Sequence, residues 1–236
     1  MKKCSLNGRR GYYYIKFLCG VMAVTLLGAG AGSHIRQRKI MEAAGGPQER
    51  VEAPRIALTF DDGPREKSTE RLLDELKKRD IKATFFLIGR YAEENPELVK
   101  RMYEEGHVIG NHTYSHVDLT RLPDAEAARE MEMTDEIVYG ITGEHVRYVR
   151  PPFGIWQRDL ELDTEVLPVM WDIDPLDWTT ENVDEIVNKV VTDAKENGII
   201  LLHDCYESSV DAALRIADLL SAQGYEFVTV EELILD

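Results

Sequence analysis

Five short clusters in this 236-residue chain hold side chains that can do chemistry together. Thr59-Phe60-Asp61-Asp62-Gly63-Pro64 sets two carboxylates side by side at the end of an apolar run. Bringing both out of water is costly unless a cation sits between them. Asp-Asp-Gly-Pro is also good turn chemistry, so a plain turn ahead of a helix fits the same residues. Gly110-Asn111-His112-Thr113-Tyr114-Ser115-His116 spaces two histidines four apart, which lets both face one metal from a helical turn or a tight loop. Thr113 stands where a zinc-protease helix would carry its glutamate, so that chemistry is excluded, and a chance surface pair stays open. Arg150-Pro151-Pro152-Phe153-Gly154 stiffens the chain after an arginine. Trp171-Asp172-Ile173-Asp174-Pro175-Leu176-Asp177-Trp178 puts three acids between two indoles, and Leu201-Leu202-His203-Asp204 ends another apolar run. Asp172 and Asp204 read as solvated loop acids. Asp174 has no assigned role beyond shaping its loop. Trp156 is equally a sugar-stacking or an ordinary rim tryptophan. His107 reads as a satisfied core histidine, and His34 and His145 as solvated.

These clusters need elements to position them. Apolar runs at Ile56–Phe60, Ala83–Ile88, His107–Ile109, Val146–Arg150, Val166–Trp171, Ile199–His203 and Glu226–Val230 have strand character. Segments of helical period lie between most of them, at Thr69–Arg79, Pro96–Glu105, Asp124–Tyr139, Val183–Glu196 and Ser209–Ala222. Strand–helix alternation with nearly continuous apolar strands implies a parallel sheet covered by helices. No glycine-rich dinucleotide turn follows the first strand. The expected fold class is therefore α/β, an incomplete (β/α) barrel of about seven parallel strands in a single domain over residues 55–236. The five clusters all follow strands, and the carboxyl ends of parallel strands are where such folds bind ligands.

The amino-terminal part is a separate problem. Residues 1–50 carry nine Lys/Arg and two Asp/Glu, a net +7, while the remaining 186 residues carry 19 bases and 41 acids, a net −22. A body that acidic excludes nucleic acid as the natural partner. Lys2, Lys3, Arg9, Arg10 and Lys16 precede a 16-residue uncharged run, 17–32, ending in Ala29, Gly30 and Ala31. Positive flank, apolar stretch and small residues are the pattern of a signal peptide or an N-terminal membrane anchor over 1–32, with residues 33–54 as a linker. The expected location is extracytoplasmic, secreted or anchored, with membrane contact only through the uncleaved segment. Cys205 is the one cysteine of the body, so no internal disulfide is available to it.

From Arg55 to the C-terminus the chain resembles the polysaccharide deacetylases of the NodB-homology type, a carbohydrate esterase family. The likeness rests on Thr-Phe-Asp-Asp, His-x-x-x-His, Arg-Pro-Pro-Phe-Gly, Asp-x-x-Asp-Trp and Leu-x-His in the family's order. It implies a distorted, incomplete (β/α) barrel of about seven parallel strands, one divalent metal, zinc first and cobalt, iron or manganese as alternatives, and hydrolysis of N-acetyl groups on an N-acetylglucosamine polysaccharide. Asp62, His112 and His116 would be the metal ligands and Asp61 the general base toward the attacking water. His203 would be the general acid, with Arg150 holding Asp61 ionised and Asp177 orienting His203. The Phe153 main-chain N–H, where the family often has tyrosine, would meet the oxyanion. Trp178 and Leu201 would line the acetyl pocket, although Leu201 suits a core role as well. Peptidoglycan is the first expected polymer and chitin-type oligosaccharide the second, with no protein partner inferable. The competing readings are a barrel deacylase for a small amide or an O-acetylated sugar, and a non-catalytic carbohydrate-binding protein. The second is disfavoured because every reacting residue is in place. A two-carboxylate glycosidase is disfavoured because adjacent acids cannot straddle a bond across the roughly 5–9 Å such enzymes use.

Overall fold

A computed structural model describes residues 53–156 and 165–235. The expected signal or anchor at 1–32, and all but the last two residues of the 33–54 linker, lie outside these residues. Among the described residues, no helix is long and apolar enough to cross a membrane.

Among the described residues, seven strands and seven α-helices follow in order: β1 Arg55–Asp61, α1 Ser68–Lys78, β2 Thr84–Leu87, α2 Gly89–Glu94, α3 Pro96–Glu104, β3 Val108–Asn111, α4 Asp124–Thr142, β4 Tyr148–Val149, β5 Leu167–Pro168, α5 Val183–Asp193, β6 Gly198–His203, α6 Glu207–Ala222, β7 Glu226–Val228 and α7 Val230–Leu235. Every strand pairing is parallel, in the order β5-β4-β3-β2-β1-β6. β6 takes one edge of β1 from Ile56 to Asp61. β7 pairs with the start of β1 and β2 with its end, so these two strands share the other edge. Beyond β5 the chain returns to β6 through one bridge, Ile173 to Ile200, so the sheet curls into an incomplete, distorted barrel.

Period-two alternation divides the strands between two cores. Ile56, Leu58 and Phe60 of β1, Phe85 and Leu87 of β2, and Ile200 and Leu202 of β6 face outward onto Leu72, Leu73 and Leu76 of α1 and the buried stripes of α5 and α6. Ala57, Phe86, Tyr148, Val169 and Val230 form the smaller inner cluster, with Val230 contributed by α7. The residues of the same parity farther along β1, Thr59 and Asp61, are polar and buried. The barrel interior therefore changes from hydrocarbon to polar toward the strand ends.

Two differences from the expected elements have local causes. β4 and β5 keep two residues each, because Pro151, Pro152 and Pro168 have no N–H to extend a ladder. The last strand stops at Val228 because Thr229 caps α7. Its N–H donates to Glu232 Oε2 at 2.7 Å, and the Glu232 N–H donates back to Thr229 Oγ1 at 3.3 Å, a Thr-x-x-Glu capping box. α4 ends on Gly143, whose φ of +79° allows its N–H to reach the Tyr139 carbonyl.

Candidate active site

The clusters meet at the carboxyl end of the barrel around a cavity of 420 Å³, lined by Asp61, Asp62, His112, His116, Phe153, Trp178, Leu201 and His203 among others. β1 delivers Asp61 to the interior, and the strand register sets it beside His203 of β6. Asp62 then turns out of the strand with φ +72°. Thr113, His116, Phe153 and Leu176, also near the cavity, share this left-handed backbone at φ 62°, 57°, 60° and 59°. Non-glycine residues adopt it at an energetic cost, which the surrounding contacts must hold in place.

Asp62, His112 and His116 place their ligand atoms within 4.8 Å of one another. Asp62 Oδ1 is 3.5 Å from His112 Nε2 and 3.4 Å from His116 Nε2. Tetrahedral zinc with bonds of about 2.0–2.2 Å separates its ligands by roughly 3.3 Å, so the spacing fits such an ion. Asp62 Oδ1 is also buried with no hydrogen-bond partner, as an oxygen reserved for a cation would be. His112 Nδ1 lies 2.5 Å from the Arg150 carbonyl, which can only accept. Nδ1 therefore carries the proton and Nε2 keeps its lone pair toward Asp62. Burial and the neighbouring His112 push His116 below the ordinary histidine value, which favours its neutral form.

The two histidines sit on a loop rather than a helical turn, and α4 holds it. Tyr114 N–H donates to the Glu130 carbonyl, and the Ser115 N–H and Oγ donate to the Glu130 carboxylate at 2.7 and 2.9 Å. Asn111 ties the start of the loop to the Met131 carbonyl at 2.8 Å. From the other side, the N–H groups of Gly89 and Arg90 in α2 donate to Thr113 and Tyr114.

Behind the cavity Arg150 is fully buried. Its Nη1 donates to Asp61 Oδ1 at 2.9 Å and Thr59 Oγ1 at 2.6 Å, and Nε and Nη2 donate to the carbonyls of Val169 and Met170 at 3.1 Å. The guanidinium lies over the Phe86 ring at 4.2 Å, with Trp171 at 5.7 Å. Burial works against its charge and pulls it below the ordinary arginine value, and the Asp61 carboxylate counters that in part. Across the cavity, buried Asp177 accepts from His203 twice, from Nδ1 and from the backbone N–H, both at 2.8 Å. Burial alone would depress His203, but the Asp177 hydrogen bond and charge, with Asp61 and Asp62, lift it to about 9. Phe153 and Trp178 are exposed at the lip and Leu201 is buried in the wall.

Trp171, Asp174 and Tyr206 also line this cavity. Trp171 had a signal, an aromatic closing a strand run, whereas Tyr206 had none. Asp174 Oδ1 accepts from the Leu176 N–H at 2.8 Å, which shapes the loop before Asp177. Trp156 does not stand at the lip; it packs half-buried against the Leu119–Met131 cluster. His107 is buried and accepts from the Ala83 N–H at 3.1 Å, and burial pulls it down to about 4. His145 is not simply solvated, since its Nδ1 bonds Asp135 at 2.7 Å. The reading of Asp204 as a solvated acid is wrong. It is 1% exposed, packed beneath Gly63, and pushed up to about 7 by burial.

Residues 48–169 match the family model for polysaccharide deacetylase. The chain is 43% identical over 178 residues to the peptidoglycan-N-acetylmuramic acid deacetylase PdaC of Bacillus subtilis, covering 75% of this chain and 38% of that protein. It is 40% identical over 199 residues to the peptidoglycan-N-acetylglucosamine deacetylase of Bacillus cereus, covering 81% of this chain and 71% of that one. The solved structure of the Bacillus subtilis PdaC deacetylase superposes with a TM-score of 0.75 at 42% identity, over 77% of this chain and 90% of that one. With more than half the sequence matched by the family model and the fold shared, the chain belongs to the polysaccharide deacetylase family.

Proposed function

We propose that this protein is a metal-dependent hydrolase that removes N-acetyl groups from an N-acetylglucosamine-containing polysaccharide, peptidoglycan first and chitin-type oligosaccharide second. One observation carries the reading. The Asp62–His112–His116 triad shares a single cavity with an arginine-paired carboxylate and an aspartate-paired histidine. The names of the related proteins supply the substrate class.

Asp62, His112 and His116 would hold the ion, and the donor set suits zinc, with cobalt, iron and manganese able to use it. A divalent ion there supplies Lewis acidity toward the acyl carbonyl and the attacking water. Asp61 accepts a proton as the water oxygen bonds to the acyl carbon, and Arg150 compensates its buried charge. The Phe153 N–H donates to the oxyanion, a main-chain role that phenylalanine fills as well as tyrosine. His203 gives a proton to the sugar nitrogen as the C–N bond breaks, releasing acetate and a free amine. Asp177 orients His203 and keeps it charged. Trp178 and Leu201 bound the space for the acetyl methyl and the sugar.

The same reading places residues 1–32 as a signal peptide or membrane anchor, 33–54 as a linker and 55–236 as the catalytic domain outside the cytoplasm. The test strips the protein of metal, restores zinc, and follows acetate release from peptidoglycan and chitooligosaccharides in parallel. Zinc-dependent acetate supports the proposal, and the preferred polymer identifies the substrate. Bound zinc without acetate from either polymer turns the reading to a small amide or an O-acetylated sugar. No bound zinc sinks it.

A further inference from the structure

We propose that Asp204 is a positioning residue that backs the turn carrying Asp62, through shape contact with Gly63 and a hydrogen bond from Thr69. The inference rests on the reading of Asp62 as a metal ligand.

Asp204 directly follows His203 on β6, and the β1–β6 register pairs Asp61 with His203. The next residues, Asp62 on one strand and Asp204 on the other, leave the sheet side by side. His203 turns toward the cavity while Asp204 turns beneath the Asp61–Pro64 segment. Its carboxyl lies so close to Gly63 that a Cβ there would fall 2.6 Å from Asp204 Cγ and nearer still to both oxygens. Only glycine fits above it. Asp204 Oδ2 accepts from Thr69 Oγ1, which in turn accepts from the Arg65 N–H at 2.8 Å. That chain closes the loop from Asp62 to the first turn of α1. On the far side, the Ile88 N–H donates to the Gly63 carbonyl at 3.1 Å. The turn is thus gripped between Ile88, just past β2, and Asp204.

Two features make this more than ordinary packing. Asp62 holds a left-handed backbone that a non-glycine residue adopts at a cost, so its neighbours must fix it. Asp204 Oδ1 is buried with no hydrogen-bond partner, a destabilising state that a smaller apolar residue would avoid. A smaller residue would also leave a hollow under Gly63, into which the turn and its ligand oxygen would relax. Partners that orient a ligand in this way set metal affinity without touching the metal.

The experiment compares zinc affinity, kcat, KM and metal-free melting temperature for the full protein and for Asp204→Ala, Asp204→Asn, Gly63→Ala and Gly63→Ala/Asp204→Ala. Asp204→Ala is expected to weaken zinc binding roughly 10–100-fold, lower kcat and leave KM nearly unchanged. Asp204→Asn, which keeps the shape and an acceptor for Thr69, should recover most of the affinity. Gly63→Ala should lose affinity too, and the double variant should bind zinc better than Gly63→Ala alone, because its methyl enters the vacated space. Unchanged zinc affinity in Asp204→Ala, or a double variant no better than Gly63→Ala, overturns the inference, whatever the melting temperatures do. Should Asp204→Ala not fold, Asp204→Ser replaces it with the same expectation. Failure of the unsubstituted protein to bind zinc would overturn the proposed function instead.

Discussion

His112 and Arg150 are joined by a 2.5 Å hydrogen bond from the imidazole Nδ1 to the arginine's backbone carbonyl, while the guanidinium of the same Arg150 donates to Asp61. One residue at the end of β4 thereby orients a candidate metal ligand through its main chain and a candidate base through its side chain. The two functions are separable by mutation, because the carbonyl survives any side-chain substitution.

Arg150→Met should therefore abolish acetate release while leaving zinc affinity near the unsubstituted value. It also leaves Asp61 buried without its cation, which costs about 3–5 kcal/mol of stability. Zinc titration, kcat and urea unfolding on the same preparation check the split. A large loss of zinc affinity would mean that the guanidinium, not the carbonyl, positions the ligands.

The candidate base and the candidate ligand are adjacent, Asp61 closing β1 and Asp62 just beyond it. Asp62→Asn and His116→Ala are expected to lose zinc binding and activity together. Asp61→Asn should keep zinc and lose at least about 100-fold in kcat, the scale of a removed proton acceptor. Measuring bound metal alongside turnover decides the assignment; reversed results would exchange the two roles.

His203 is expected to carry the pH dependence. Its value is raised from 6.5 to about 9 in the folded protein. The group therefore stabilises the metal-free fold in full below about pH 6.5, and the contribution fades as pH rises through about 9. Asp177→Asn removes the chief raising partner, so stability should lose this fall between pH 6.5 and 9. Turnover should lose its acid at lower pH, moving the alkaline limb of the profile downward. Denaturant unfolding and kcat at a series of pH values test both, and an unmoved alkaline limb would remove His203 from the proton transfer.

Trp178 is 56% exposed at the cavity lip. Trp178→Ala should change stability by no more than about 0.5 kcal/mol, as surface substitutions do. If the indole contacts substrate, KM on chitooligosaccharides should rise while zinc affinity holds. An unchanged KM would make it an ordinary rim residue.

Most of the strands and longer helices could be read from the sequence, because hydrophobic periodicity is local. Ala57, Thr59 and Asp61 share one face of β1 whatever lies opposite. Short elements were harder. α2 is six residues of weak pattern, Gly-Arg-Tyr-Ala-Glu-Glu, whose first two N–H groups donate to the Thr113–Tyr114 loop. α7 had a legible capping box in Thr229 and Glu232, masked by the apolar run that precedes it.

The chain by itself determined the α/β alternation, the placement of the polar clusters after strands and the family likeness, since each resides in contiguous residues. Only the tertiary structure decided which groups meet. Arg150 reaches Asp61 across 89 positions, and His112 reaches the Arg150 carbonyl across 38. Those distances are set by strand register, which no local pattern records. The same is true of Asp204, which has the composition of a solvated loop acid. It is buried because the β1–β6 register carries it beneath Gly63, where a side chain from β1 cannot fit. Local periodicity fixes the face on which a side chain emerges, and sheet closure fixes what it finds there.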